Sequence, residues 1–292
     1  MKITGVIPPL ITPLDQEGRL DRVSLKRLIG RMTEAGVDGL FLAGSTGEGA
    51  NLTDEVYYPL VTESLACSEL PLYVGISENG TGKVKEKIAR LSKYALSGIV
   101  ITAPAYFNYS SLGLGGFFTE IADYSPFPVL VYNIPSNSHV YLEPELLIDL
   151  SQHPNICAVK DSAGRFIHFQ KLLFAKEAGE FQASLLQGCE ELMMASALSG
   201  ADGVIPGIAN IAARQCVELW RAAQAGDVTR GYSIQKEIID LMGIYRGGVW
   251  FRTLKEYLAR EGVCQPHVTA PFGYEPYNPQ YGPTELKKSS NE

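Results

Sequence analysis

Eight short segments rich in Val, Ile and Leu recur along the first 210 residues, each followed by a longer amphipathic stretch. They cover residues 3–12, 39–45, 70–77, 98–104, 127–133, 155–161, 181–188 and 202–208. Short apolar runs of this kind read as strands buried on both faces. The stretches between them follow helical periodicity. In residues 21–36, Leu25, Leu28, Ile29 and Met32 fall on one face and Gly36 supplies a C-terminal stop. Residues 54–68 and 82–97 behave likewise, with Pro59 required to kink the first of these or to sit near its start. Eight strands alternating with eight helices is the count of a (β/α)8 barrel, a fold of roughly 250 residues. A doubly wound open sheet is the alternative topology for the same alternation.

The 292 residues exceed that length, so a C-terminal extension is expected. No shift in composition divides the chain before about residue 210. The barrel is therefore assigned to 1–210, and 211–292 to the last barrel helix, further helices and a surface tail, all in a single compact unit. Helical patterns run over 210–226, 231–245 and 249–262, and the Pro- and Tyr-rich end is expected to lie along the surface with a frayed tip. The formal net charge is −7, from 25 Lys and Arg against 32 Asp and Glu. That balance lacks the basic face a nucleic-acid binder needs. Prolines interrupt the apolar N-terminal run, which reads as a strand rather than a signal peptide, and no stretch approaches a membrane span. Five widely spaced cysteines fit reduced thiols, so a cytoplasmic protein is expected.

A barrel of this type brings the C-terminal ends of its strands together at one mouth. Those ends carry Ser45 and Thr46 in a glycine-flanked turn, Tyr106, Tyr132 and Lys160. Lys160 closes an apolar strand, where an ammonium must be paired, must reach water or must be partly neutral. A solvated lysine, or one bridged to its neighbour Asp161, is the ordinary reading of that stretch by itself. Tyr106 and Tyr132 taken singly read as rim aromatics, and the "GSTGEG" turn as a βα loop. Together they form a chemical set. A desolvated amine attacks a ketone to give an imine that acts as an electron sink, and a tyrosine beside it moves the required proton. Hydroxyls and backbone N–H groups of the 45–46 turn can hold a carboxylate.

Other motifs fail. Residues 75–83 resemble a phosphate-binding loop, but the lysine falls two positions late and no Ser or Thr follows it. The "GSTGEG" turn lacks dinucleotide-binding spacing, and the four histidines lack metal-ligand spacing. Neither a nucleotide nor a metal is indicated, and no cofactor is expected.

The motifs "GSTGE", "VYNIP" and "VKDS", in this order and at these spacings, resemble the dihydrodipicolinate synthase and N-acetylneuraminate lyase family. The resemblance extends from residue 3 to about 272, including "GADGVI" and "APFG". It implies a barrel, assembled as a homotetramer of two tight dimers, in which pyruvate or a related 2-oxo acid forms an imine on lysine. It also implies roles: Lys160 as the imine-forming residue, Tyr132 as general acid and base, Ser45 and Thr46 at the carboxylate and relay positions. Tyr106 matches a relay tyrosine that crosses the dimer interface, and Ile205 a position whose main-chain carbonyl faces the lysine.

The departures from the family pattern bear on substrate. The synthases carry an arginine shortly after the "YNxP" tyrosine, where it receives the aldehyde's carboxylate; here Asn137 stands at that position. His139 replaces a common glycine, and Ser45 matches the serine of the lyases rather than the usual threonine of the synthases. The expectation is an aldolase or dehydratase acting on a 2-oxo-3-deoxy sugar acid, with Asn137, His139, Ser162, Gln187 and Glu190 as contacts for a polyhydroxylated tail. A synthase that condenses pyruvate with aspartate semialdehyde, with Arg165 replacing the missing arginine, is the second reading. A non-catalytic binding protein on the same barrel is the third, and the filled Lys160 and Tyr132 positions count against it.

Overall fold

The computed structural model describes residues 2–247 and 249–274. The Pro- and Tyr-rich tail assigned to the surface lies, apart from its first residue, outside them. The strands are β1 (Gly5–Val6), β2 (Leu40–Leu42), β3 (Leu72–Ile76), β4 (Gly98–Thr102), β5 (Val129–Asn133), β6 (Ile156–Asp161), β7 (Ser184–Gln187) and β8 (Gly203–Val204). Every one falls within a predicted segment. Each strand pairs in parallel with the next from β2 to β8, and β8 pairs with β1. A parallel bridge between Pro9 and Phe41 joins β1 to β2, with Leu10 N donating to Phe41 O and Phe41 N to Pro8 O. The sheet therefore closes on itself, and the open-sheet alternative is excluded.

The helices in chain order are α1 (Arg22–Ala35), α2 (Asp54–Cys67), α3 (Thr81–Leu91), α4 (Ser111–Tyr124), α5 (Pro135–Ser138) and α6 (Pro144–Ser151). They continue as α7 (Phe166–Glu177), α8 (Met193–Leu198), α9 (Ala209–Gln224), α10 (Val228–Leu241) and α11 (Trp250–Arg260). In α1 the side chain of Asp21 accepts from Ser24 N, and Gly36 takes a left-handed φ of 76° that ends the helix where expected. Its buried residues include Leu25, Leu28, Ile29 and Met32, the predicted face. Pro59 sits inside α2, one of the two placements expected for it, and leaves the Glu55 carbonyl without its helical donor. Helix α3 ends at Leu91, because the chain must turn back to start β4 at Gly98.

Side-chain alternation sorts the strands into two cores. Phe41, Tyr73, Val100, Leu130, Tyr132, Ala158, Leu186 and Ile205 fill the barrel interior, while Leu40, Leu42, Val74, Ile101, Val131, Val159 and Leu185 face the helices. No helix among the described residues is long and apolar enough to cross a membrane.

Candidate active site

Strand register builds the site. Thr102 pairs with Tyr132, Tyr132 with Lys160 and Lys160 with Leu186, so four consecutive strands contribute one level of side chains near the mouth. Lys160 is 3% exposed and Tyr132 4%. The Lys160 Nζ lies 4.0 Å from the Tyr132 ring centroid and 5.1 Å from that of Phe41. Phe41 was not singled out from the sequence, although inward alternation on β2 would have pointed to it.

Lys160 takes part in no ion pair among the described residues. The bridge to Asp161 does not form, because successive residues of a strand point to opposite faces. Asp161 instead accepts from Asn133 Nδ2 at 2.9 Å and from Ala163 N at 3.1 Å, and Asn133 Oδ1 accepts from Leu142 N. This buried cluster ties the β5 and β6 loops together. Burial pushes the Asp161 carboxyl up to about 6, against the opposing pull of those two donors.

The Ser45–Thr46 turn is held by close backbone approach. A methyl group on Gly49 would lie 1.8 Å from Ala43 O, so only glycine fits there. Ser45 lines a cleft of ≈ 230 Å³ at the mouth, above Thr102 and Ile134. Asn51, Ser77, Asn79 and Asn137, with the carboxylates Glu48 and Glu78, supply polar wall, and Phe251 and Phe272 an apolar one. No lysine or arginine lines this cleft among the described residues. Thr46 is 3% exposed. Thr46, Glu190 and Trp250 converge over Gly207, where an added methyl would lie 3.5, 3.1 and 3.2 Å from them respectively.

The remaining residues selected from the sequence divide. Asn137 reaches the cleft. Glu190 accepts from Ile208 N at 3.0 Å, and burial raises its carboxyl against the pull of backbone hydrogen bonds from its own residue and Ile208. Ser162 lies by Gly188, where an added methyl would stand 2.0 Å from its Oγ and 3.0 Å from Lys160 Cε. Ile205 is buried in the interior core, its N–H donating to Gln187 O. Gln187 needs correction as a tail contact: its amide donates to Ser196 and accepts from Cys189 N, on the face of β7 opposite Leu186. His139 also stands outside the cleft wall; it is exposed with φ of 56° and caps α5, a conformation that explains why glycine suits this position. Tyr106 is 78% exposed, its N–H donating to Asn79 Oδ1 and its ring edge-on to Phe107, so within one chain it meets neither Lys160 nor Tyr132. Arg165 places its guanidinium 5.3 Å from the Tyr141 ring centroid, away from the cleft wall. Glu48 and Lys255, a fully buried pair behind the turn, went unnoticed in the sequence.

A closed barrel with a buried lysine, unpaired among the described residues, between aromatic faces near the mouth is the construction of a lyase that works through an imine. The chain belongs to the dihydrodipicolinate synthetase family, whose model matches residues 2–280. It is 29% identical over 238 residues to the 4-hydroxy-tetrahydrodipicolinate synthase of Methanothrix thermoacetophila, covering 82% of this chain and 80% of that one. It is 26% identical over 276 residues to the probable 2-dehydro-3-deoxy-D-pentonate aldolase YjhH of Escherichia coli, covering 91% and 92%. Among solved structures, YagE, a prophage protein of the same family from Escherichia coli in complex with pyruvate, superimposes with a TM-score of 0.89 at 26% identity, covering 96% of this chain and 95% of that one.

Proposed function

We propose that Lys160 forms the imine with a 2-oxo-3-deoxy sugar acid and that the enzyme cleaves it to pyruvate and an aldehyde. The amine adds to C2 and water leaves, giving a protonated imine. Tyr132 then takes the proton of the C4 hydroxyl as the C3–C4 bond breaks; the aldehyde departs and the electron pair moves into the enamine. Protonation at C3 and hydrolysis release pyruvate and return the free amine. Ser45 and Thr46 hold the C1 carboxylate, and the main-chain carbonyl of Ile205 faces the lysine. Asn137, Ser162 and Glu190 are the tail contacts this reading retains, with no cofactor needed. Tyr106 acts as a relay only where a second subunit presents it, which accords with its exposure and with assembly as a homotetramer. The barrel and C-terminal helices work as one unit, in the cytoplasm.

The observation that carries the substrate class is the cleft without lysine or arginine. A synthase must grip the carboxylate of aspartate semialdehyde, a task suited to a guanidinium, whereas neutral amides and hydroxyls suit a polyhydroxylated tail. Incubation with pyruvate and borohydride, followed by intact mass, tests the imine: one reduced adduct is expected on the native chain and none on Lys160→Ala. Release of pyruvate from 2-oxo-3-deoxy sugar acids then tests the substrate. Consumption of aspartate semialdehyde without any sugar-acid cleavage would reverse the assignment.

A further inference from the structure

The turn that carries Ser45 and Thr46 is tied to the far end of the chain through a buried charge. Lys255, on α11, places its Nζ 2.5 Å from Glu48 Oε1, and both side chains are wholly shut off from solvent. The same ammonium donates to His267 O at 2.6 Å. The other oxygen of Glu48 accepts from Thr269 N at 2.6 Å and from Thr269 Oγ1 at 2.8 Å. Glu48 stands two residues beyond Thr46 with a left-handed φ of 58°, a conformation that requires support from its surroundings. The segment beyond Thr269 leads to Phe272, whose ring stands edge-on to Phe251 at 4.9 Å, and both rings wall the cleft.

Stability alone is a weak reason to build such a pair. Taking both charges out of water costs several kcal/mol per ion, and apolar replacements of buried pairs are often neutral or stabilising. Burial pulls the Lys255 ammonium down, and the charge and hydrogen bond of the facing Glu48 carboxylate are the main pull against that. What the pair supplies is position, since each of its oxygens and donors is committed to a different segment: the 45–49 turn, α11 and residues 267–269.

We propose that Glu48 and Lys255 are positioning residues, a brace that sets the Ser45–Thr46 turn against the C-terminal wall of the cleft and thereby aligns the group that receives the 2-oxo acid's carboxylate. This rests on the role given to Ser45 and Thr46 above. Lys255 stands outside the cleft lining, and Glu48, which borders the cleft, acts here through the turn it holds rather than on the substrate. Removing one leaves the other buried and unpaired, so the turn must shift or admit water, whereas neutralising both removes that conflict.

The test compares wild type with Lys255→Met, Thr269→Val and the double variant Glu48→Gln/Lys255→Met, by amide hydrogen exchange and by the pyruvate concentration that half-saturates borohydride trapping. In Lys255→Met, peptides covering 43–51 and 265–270 should exchange about tenfold faster or more while β4 to β6 stay unchanged. Half-saturation should rise about tenfold with maximal trapping preserved, and the double variant should recover most of that loss. Should Lys255→Met fail to fold, Thr269→Val, which removes one hydroxyl donor to Glu48, should move both readouts in the same direction by about threefold. Wild-type exchange over 43–51, or unmoved half-saturation, in a folded variant would overturn the brace. If the wild-type chain traps no pyruvate, the imine reading fails by itself, and the coupled exchange of the two segments still decides the brace.

Discussion

Lys160 and Tyr132 are paired Cα to Cα across β5 and β6, and the pairing sets the lysine nitrogen 4.0 Å from the centre of the phenol ring. The amine is thus accompanied by ring faces instead of a carboxylate. A ring face attracts a cation but carries no net charge. When the nitrogen is consumed in an imine and regenerated, no buried counter-charge is left without a partner, which an Asp or Glu at this distance would be.

Tyr132→Phe separates the two roles of the ring. The face beside Lys160 is retained and only the hydroxyl is lost, so pyruvate should still be trapped on Lys160 by borohydride. Turnover should fall by about 10² to 10⁴, the range for removal of a general acid or base. Steady-state kcat and intact mass on the same sample check this. Loss of trapping together with turnover would mean that the hydroxyl is needed to form the imine as well.

Gly188→Ala tests how tightly the lysine stem is held. The new methyl would meet Ser162 Oγ at 2.0 Å and Lys160 Cε at 3.0 Å, and neither contact can be kept. Overpacking of this kind costs about 1–3 kcal/mol, and here the strain bears directly on the nucleophile. Urea denaturation should show a loss in that range, and trapping at saturating pyruvate should slow relative to wild type.

Much of this site was legible in the sequence because it rests on periodicity. Eight apolar segments specify the closed sheet, and the ends of neighbouring strands must meet, so Lys160 and Tyr132 could be brought together from residues alone. Face assignment was less accessible. Lys160 and Asp161 look alike as strand-end polar residues, and only the register shows that one enters the barrel and the other bonds to Asn133. Gln187 failed for the same reason: Leu186 holds the inward position and the glutamine turns to Ser196. The Glu48–Lys255 pair spans 207 positions and depends on a left-handed residue, and no local pattern encodes either. The glycine motif did mark the turn, but it did not disclose what lies behind it.

Asn137→Arg asks whether the lack of a cationic side chain in the cleft wall sets the choice of aldehyde. Asn137 is exposed on α5 and lines the cleft, its Oδ1 accepting from Ser136, so an arginine can extend there without displacing core. A guanidinium would offer a bidentate partner to a carboxylate and little to a hydroxylated tail. Cleavage of sugar acids should fall, and condensation of pyruvate with aspartate semialdehyde should appear or rise, changing the ratio of the two kcat/KM values by about tenfold or more. An unchanged ratio would remove position 137 from the determinants of specificity.

His168 is buried on α7 with Nδ1 2.7 Å from the Tyr141 hydroxyl, while its Nε2 is buried without a partner among the described residues. Burial, with the Arg165 charge adding to it, lowers this imidazole from 6.5 to about 4. Between those values the unfolded chain binds a proton that the folded chain refuses, so stability falls as pH drops from about 6.5 towards 4. The loss is at most about 3 kcal/mol, less whatever solvent screening reaches the ring. Asp161, raised to about 6, works in the opposite sense over much of the same window, because its folded form binds the proton more readily than the unfolded chain does. The difference between wild type and His168→Gln therefore isolates the histidine. Urea denaturation at pH 7 and pH 4.5 should show the wild type losing more stability than the variant; equal losses would mean that the imidazole finds a proton acceptor in the fold and titrates without penalty.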